Sequence, residues 1–568
     1  RLDYGGDTSS DPHVERLIES FAFLSARLQR RMDSDFPEIP SALLSVLYPH
    51  LTAPVPSMAI ADFQADPKQA RALADYIVPA GTELLASAGN GLTCRFRTSM
   101  PVTLWPVEVE DATLLPPGAC DTAADDPRVA AVLRIRLCCL GNRSFKDFSP
   151  GSLRFHINAD PATASSLYEL LFASVLGITV RPENPDAPAT RLRADAIHPV
   201  GFAADEALLP HPPQAHQGYR LLSEYFLFPQ KFLFFDVVQP RGLGGGKRAD
   251  LLILLTRRPN LALPIDAGTF RMACTPVVNL FRKTSEPIRI DHTKLDYRLV
   301  PDSLWERATE VHSILKVSAT SAFEDESGVI QPLFSFTHAD HEHGRTAFWT
   351  ARREPASRAD LGGSDLFLSF VDLAFQPTRP ATQVVFAHTL CTNRDIAQHI
   401  APGSALEIER DVPVEHITCL TRPSPQQAAL MPGPTLWRLV SQLSLNHLSL
   451  ADGEDGLTAL KEILRLHAGG RDTAERQIAG LVGLSAQRVV RHVGRDAWRG
   501  FCRGLEVTLA IDEDNLAGSS PYLLSAVLSR FLGLYAAVNS FTQLVVTSNR
   551  RDGVWSTWPA MSGERPIL

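Results

Sequence analysis

The chain has 568 residues, 45% hydrophobic and 21% charged, an ordinary globular composition on a length that excludes a single core, since such cores stop growing near roughly 250–300 residues. Its 55 Lys and Arg face 63 Asp and Glu, and the basic pairs Arg30-Arg31, Arg257-Arg258, Arg352-Arg353 and Arg550-Arg551 are scattered. That excludes the concentrated positive charge that nucleic acid or an anionic membrane would require.

The opening "RLDYGGDTSSDPHVERL" has neither an initiator Met nor the apolar core of a signal peptide, so the start reads as trimmed or interior. Asp11 as N-cap and Pro12 at the first turn open an amphipathic helix carrying Val14, Leu17, Ile18, Phe21, Leu24 and Leu28. It should run to about Met32, and a second helix, "SALLSVLYPHL", begins at Ser41; residues 1–55 are thus expected to form a helical N-terminal segment. Apolar runs such as "VAAVLRIRLCCL", "ADLLILL" and "DLFLSFVDLAF", separated by Pro, Gly and Asp, then predict short strands. We place one or more β-rich domains over 56–310, with helical inserts at "SSLYELLFASVLG" and "GYRLLSEYF", and a second β-rich domain over 311–425.

The segment "TRPSPQQAALMPGP", Thr421 to Pro434, has the composition of a linker about which domains could rotate. Beyond it, 434–568 reads as an α/β domain. The helices "TLWRLVSQLSLNHLSL" and "GLTALKEILRLHA" precede the strands "GLEVTLAID" and "TQLVVTS", which flank a helix capped by Ser520 and lined by Leu524, Val527, Leu528, Phe531, Tyr535 and Val538. The expected fold class is α+β and multidomain: helical N-terminal segment, β-rich sandwich-type middle, α/β C-terminal domain. No apolar run reaches the roughly 18–20 residues that span a bilayer, and the eight Cys include no C-x-x-C, which suits reduced thiols in a cytosolic protein.

One stretch stands out. "GYRLLSEYFLFPQKFLFFDV", Gly218 to Val237, crowds Tyr219, Tyr225, Phe226, Phe228, Phe232, Phe234 and Phe235 into a chain with 8% aromatic content. Tyr219, Leu222, Tyr225 and Phe226 fall at helical spacing, Pro229 interrupts, and "KFLFFDVV" alternates Phe232 and Phe234 with Leu233, Phe235 and Val237. A strand apolar on both faces is normally sandwiched between layers. Tyr225, Phe226, Phe228, Phe232, Phe234 and Phe235 are therefore candidate core or interface aromatics, with core the favoured assignment.

Candidates for catalysis are sparse. "THADHEHGR" places His338, Asp340, His341 and His343 close together, but matches no zinc spacing and sits between strand-like runs, so a solvated loop without metal is expected. "RGLGGGKRAD" lacks the phosphate-loop spacing and the Ser or Thr after its Lys. No G-x-S-x-G elbow occurs, and His388/Cys391 and His416/Cys419 point to opposite faces of their strands. No catalytic, cofactor-binding or metal residue is assigned; a metal-dependent hydrolase using His338–His343 and a carbohydrate-binding β-sandwich of a tail or spike stand as alternatives.

"DPHVERLIESFAFLSARLQRRMDSDFPEIPSALLSVLYPHLTAPVPSMAI", "VPAGTEL", "CRFRTSMPVTLWPVEV", the aromatic stretch, "CTPVVNLFRKTSEPIRIDHTKLDYRLVPD", "LCTNRD", "LWRLVSQLSLNHLSL", "VGRDAWRGFCRGLEVTLAID" and "SPYLLSAVLSRFLGLYAAVNSFTQLVV" follow in order. In these segments the chain resembles the TssF family (also called ImpG or VasA), a subunit of the type VI secretion system baseplate. The resemblance implies a cytoplasmic structural protein without cofactor or assigned catalytic residues. It implies a wedge of two such copies with one TssG that engages TssK, and a full baseplate that surrounds the spike, meets TssE, seeds the contractile sheath and docks at the inner-membrane complex. Neither nucleic-acid binding nor direct membrane insertion is expected from it.

Overall fold

The computed structural model describes residues 13, 16, 20–27, 44 and the chain from 48 onward, except 71–72, 74, 90, 121–125, 185, 213–215, 260–261, 291–293, 321–327, 334–346, 359, 373–383, 431–452, 493–500, 517, 537–539 and 563–568. The protein is β-rich, with several sheets and more than one domain. No described helix is long and apolar enough to cross a membrane.

The first sheet has six strands in the order Ala405–Leu406, Val414–Cys419, Met58–Ala65, Cys274–Val278, Thr93–Thr98 and Glu83–Ser87. Phe63, Leu84, Phe96, Val277 and Ile417 meet beneath it. Its neighbours are far apart in sequence because two long insertions leave it and return. The first insertion, between Thr98 and Cys274, holds a five-stranded sheet and a four-stranded sheet. The five strands are Val107–Leu115, Ala131–Cys139, Val175–Pro182, Thr190–Arg193 and Arg248–Leu255; the four are Ser152–Ile157, Ile197–Pro199, Phe234–Val238 and Phe270–Arg271. The same insertion carries helices α1 (Pro161–Ala173) and α2 (Gln217–Leu227).

The second insertion is an eight-stranded sheet between Phe281 and Thr392. The expected boundary at 310/311 therefore falls inside one sheet: Glu310 begins a strand of it, and Phe281 pairs with Cys391 across it. Strand periodicity locates strands without naming their partners, so a linear cut missed the nesting.

The expected hinge is also different in its described part. Gln427 and Val55 exchange backbone hydrogen bonds at 3.0 Å, Ser424 donates its amide to Met58 O at 2.8 Å, and Thr421 Oγ1 accepts from the Ile60 amide at 3.0 Å. Residues 421–427 lie against the first sheet. The Pro residues that suggested a free linker lack a ladder donor, but the residues between them keep theirs, and Ser424 and Gln427 use them to bridge to the sheet.

Beyond it come α3 (Gly453–Ala468) and α4 (Asp472–Ala479). The antiparallel pair Leu481–His492 and Phe501–Ile511 follows, then α5 (Pro521–Leu532) and Ser540–Ser548, which runs parallel to 501–511. Ser520 Oγ accepts from the Leu523 amide at 3.2 Å to cap α5. This helix ends sooner than its apolar stripe suggests, because Gly533–Tyr535 tightens to a 3-10 turn, while Val538 lies outside the described residues. The strand Leu481–His492 was not anticipated: most of its side chains face solvent, so it shows little apolar alternation.

Candidate functional site, a buried hub of rings and charges

The aromatic stretch folds as α2, a 3-10 turn over Pro229–Phe232 and the strand Phe234–Val238. Phe232 thus sits in the turn rather than on the strand, since Pro229 fixes the turn's start. Tyr225, Phe226, Phe228, Phe232, Phe234 and Phe235 are all buried. Phe234 and Phe235 point to opposite sides. Phe234 packs with Met58, Leu227, Phe228 and Val278 towards the first sheet, whereas Phe235 stacks on Phe155 at 5.2 Å and meets Phe270 edge-on.

Every residue of α2 from Gly218 to Leu227 is buried, a helix enclosed on all sides. It lies against α5 so closely that a Cβ at Gly218 would sit 3.0 Å from the Phe531 Cα. Tyr219 touches Tyr48 of the N-terminal segment, Phe531 of α5 and His467 of α3, with ring centroids 5.6–5.8 Å apart. Ser223 is hydrogen-bonded to His467 Nδ1 at 2.8 Å, and Arg471 donates to the Leu227 carbonyl at 2.9 Å, closing the end of α2. Tyr522 of α5 donates to the Phe172 carbonyl of α1 at 3.1 Å, and Arg551 pairs with Glu169 at 3.2 Å and Glu513 at 3.0 Å. One apolar core consequently runs from Trp105 to Val546, joining the first insertion to the C-terminal elements.

Inside this hub lies a charge cluster that reading for rings alone passed over. Glu224 is fully buried and accepts from the Leu208 and Leu209 amides at 2.8 and 3.0 Å, from Arg220 Nη1 at 3.2 Å and from Lys231 Nζ. Arg220 also donates to the Ala203 carbonyl at 2.9 Å. Burial alone would push the Glu224 carboxyl up, but Lys231 and Arg220 overcome it and hold the group below its ordinary value. Burial brings the Lys231 ammonium down to about 8, with Glu224 opposing and Arg220 adding to the shift. The available signal was three of the stretch's four charges, Arg220, Glu224 and Lys231, in a run otherwise too apolar to be solvated.

A second junction is made by "LCTNRD". Asn393 Oδ1 accepts from the Arg95 amide at 2.9 Å and from Asn279 Nδ2 at 2.8 Å, while its own Nδ2 donates to the Ala308 carbonyl at 3.1 Å. Arg394, at φ +51°, donates to the carbonyls of Glu306, Thr309 and Gly362. Two consecutive polar residues thus bind the first sheet to the eight-stranded one.

The enzymatic candidates fare differently. Residues 338–343 lie outside the described residues. In the glycine-rich connection the amides of Lys247 and Arg248 donate to Glu183 Oε2 at 2.9 and 3.2 Å, so a carboxylate already occupies the donors a phosphate would need. Burial pushes the Cys391 and Cys419 thiols up to about 11 and about 12, which leaves them inert as nucleophiles.

Comparison with known proteins agrees across the chain. The family model described as "Type VI secretion system, TssF" matches residues 1–565. The type VI secretion system component TssF1 of Pseudomonas aeruginosa is 34% identical over 595 aligned residues, covering 100% of this chain and 95% of that protein. Among solved structures, a chain of a TssK-TssF-TssG baseplate subcomplex aligns over 97% of this chain and 100% of its own length, with TM-score 0.77 and 23% identity. A chain of a type VI baseplate complex aligns over 99% of this chain and 94% of its own, with TM-score 0.60 and 22% identity. At these identities the two structures speak for the fold.

Proposed function

Since the chain belongs to the TssF family of type VI secretion systems, we propose that it is a structural subunit of the baseplate wedge, a scaffold rather than an enzyme, assembling with TssG and TssK. The match over residues 1–565 carries this reading. Its physical support is a molecule whose domains are fastened by buried rings and charges, as suits a part that transmits force while offering large surfaces to partners. We take the six ring residues from Tyr225 to Phe235 as core rather than contact residues, which their burial favours. We take 1–55 as the partner-facing segment: Phe21, Phe23 and Leu24 are exposed on one described stretch of helix, an apolar surface in want of a cover. Residues 434–568 form the proposed α/β unit.

In the finer reading two copies share one TssG, the complete baseplate adds the spike, sheath and TssE, and the assembly works in the cytoplasm against the inner-membrane complex. Neither the hydrolase nor the lectin reading gains a specific observation. The test is co-expression with TssG and TssK from the same organism, followed by size-exclusion chromatography. The three are expected to migrate together; a monodisperse chain that ignores both partners at micromolar concentration would sink the proposal.

A further inference from the structure

A cleft of about 680 Å3 lies between the first sheet and the first insertion, bordering the hub at Phe270, which meets Phe235 edge-on. Its size is that of a ligand or peptide site, and its walls are unlike a dry packing defect. Four carboxylates line it, Asp62, Asp75, Glu108 and Glu415, against two arginines, Arg154 and Arg271. Arg154 is already committed to Asp236, through paired bonds at 2.8 and 2.9 Å, with Glu206 at 3.9 Å. Arg271 reaches Asp62 only at 3.9 Å, and its buried Nε has no hydrogen-bond partner among the described residues. Asp75, Glu108 and Glu415 are exposed and carry no ion pair among the described residues, so the cleft is left with net negative charge.

Apolar surface and sheet edges complete it. Ile77 is 57% exposed and lines the same wall as Met272 and Val109. Three strands border the cleft, and each has one pairing partner among the described residues: Val102–Leu104 pairs with Tyr76–Val78, Val107–Leu115 with Ala131–Cys139, and Phe270–Arg271 with Ser152–Ile157. Sheet edges are templates for an added strand, and alternate pockets along them read its side chains.

We propose that this cleft receives an extended segment of a partner chain, strand-like in conformation, alternating apolar residues with at least one Lys or Arg. The backbone edges supply register, the apolar wall supplies desolvated area, and the unpaired carboxylates select a cationic side chain. A compact polycation would satisfy the charge but leave both the edges and the Ile77 wall unused.

The inference rests on the baseplate reading, and its test is hydrogen exchange on the full chain, free and reconstituted with TssG and TssK, beside a Glu108→Lys, Glu415→Lys double variant. Both substituted side chains are exposed, so the variant should melt as the parent does. Amides of residues 102–109 and 270–274 are expected to exchange about tenfold or more slowly in the parent complex, and to lose that protection in the variant. Unchanged exchange in the parent complex, or full protection in the charge-reversed one, overturns the inference and leaves the baseplate reading standing. Protection of the free chain by spermidine to the same degree overturns the peptide occupant in favour of a small polyamine. A chain that fails to join TssG and TssK at all overturns the baseplate reading and this inference with it.

Discussion

Glu224 accepts four hydrogen bonds in a place that water does not reach, two from backbone amides and two from the cations Arg220 and Lys231. A buried charge set of this kind contributes little net stability when complete, because desolvation offsets most of the attraction, but breaking it is costly. Glu224→Gln would leave two cations in the core without an anion, and should cost about 3–5 kcal/mol. Lys231→Met should cost less, since Arg220 and both amides still hold the carboxylate. The decisive comparison is the double variant: Glu224→Gln with Lys231→Met is expected to be more stable than Glu224→Gln alone, because the second change removes a stranded charge. Denaturant melts of the three variants, run as a double-mutant cycle, check this; a double variant that merely sums the two losses would mean that the residues do not act as one cluster.

The strand Phe234–Val238 is the element on which the molecule's layers meet, with Phe234 on the first-sheet side and Phe235 on the side of the large core. Phe234→Ala would open a cavity between two layers and should cost about 3–5 kcal/mol, seen as insoluble or protease-sensitive protein. Unchanged melting together with lost TssG binding would instead make the ring a contact residue. Much of this element was legible in the sequence, since a strand apolar on both faces but for Asp236 is best satisfied between layers. The turn that takes Phe232 off the strand was less so: Pro229 announces a break, but its length depends on how Lys231 reaches Glu224. Sheet partners were not legible at all. Nothing in "MAIADFQA" indicates that one edge will pair with Val414–Cys419 and the other with Cys274–Val278, because register follows from packing over separations of hundreds of residues. The cleft proposed above was hidden for the same reason, its carboxylates being strewn from Asp62 to Glu415.

At the scale of the whole molecule, acid should loosen several cores at once. His156 is enclosed beside Phe234 with neither ring nitrogen partnered among the described residues, His312 lies within the eight-stranded sheet, and His467 joins α3 to α2. Burial lowers His156 to about 3; burial, then Arg353 and Arg97, lower His312 to about 3; and burial lowers His467 to about 4. All three are neutral in the fold, whereas the unfolded chain takes up their protons below about pH 6.5. Their contribution is thus fully present above that pH and is lost progressively as pH falls towards the folded values, at about 1.4 kcal/mol per unit for each histidine. By pH 5 each should have cost about 2 kcal/mol, before paired carboxylates such as Asp250 and Asp365, held below their ordinary range, begin to protonate. His156→Leu separates the titration from packing, because the imidazole gives up no hydrogen bond and leucine fills most of its volume. The parent should melt markedly lower at pH 5 than at pH 7, and the variant should lose about a quarter less of its stability over that interval, since burial, then His211 and His467, also lower His50 to about 3. Parallel pH profiles for the two would show that His156 is already charged in the fold, and the account of a neutral imidazole sandwiched against Phe234 would fail.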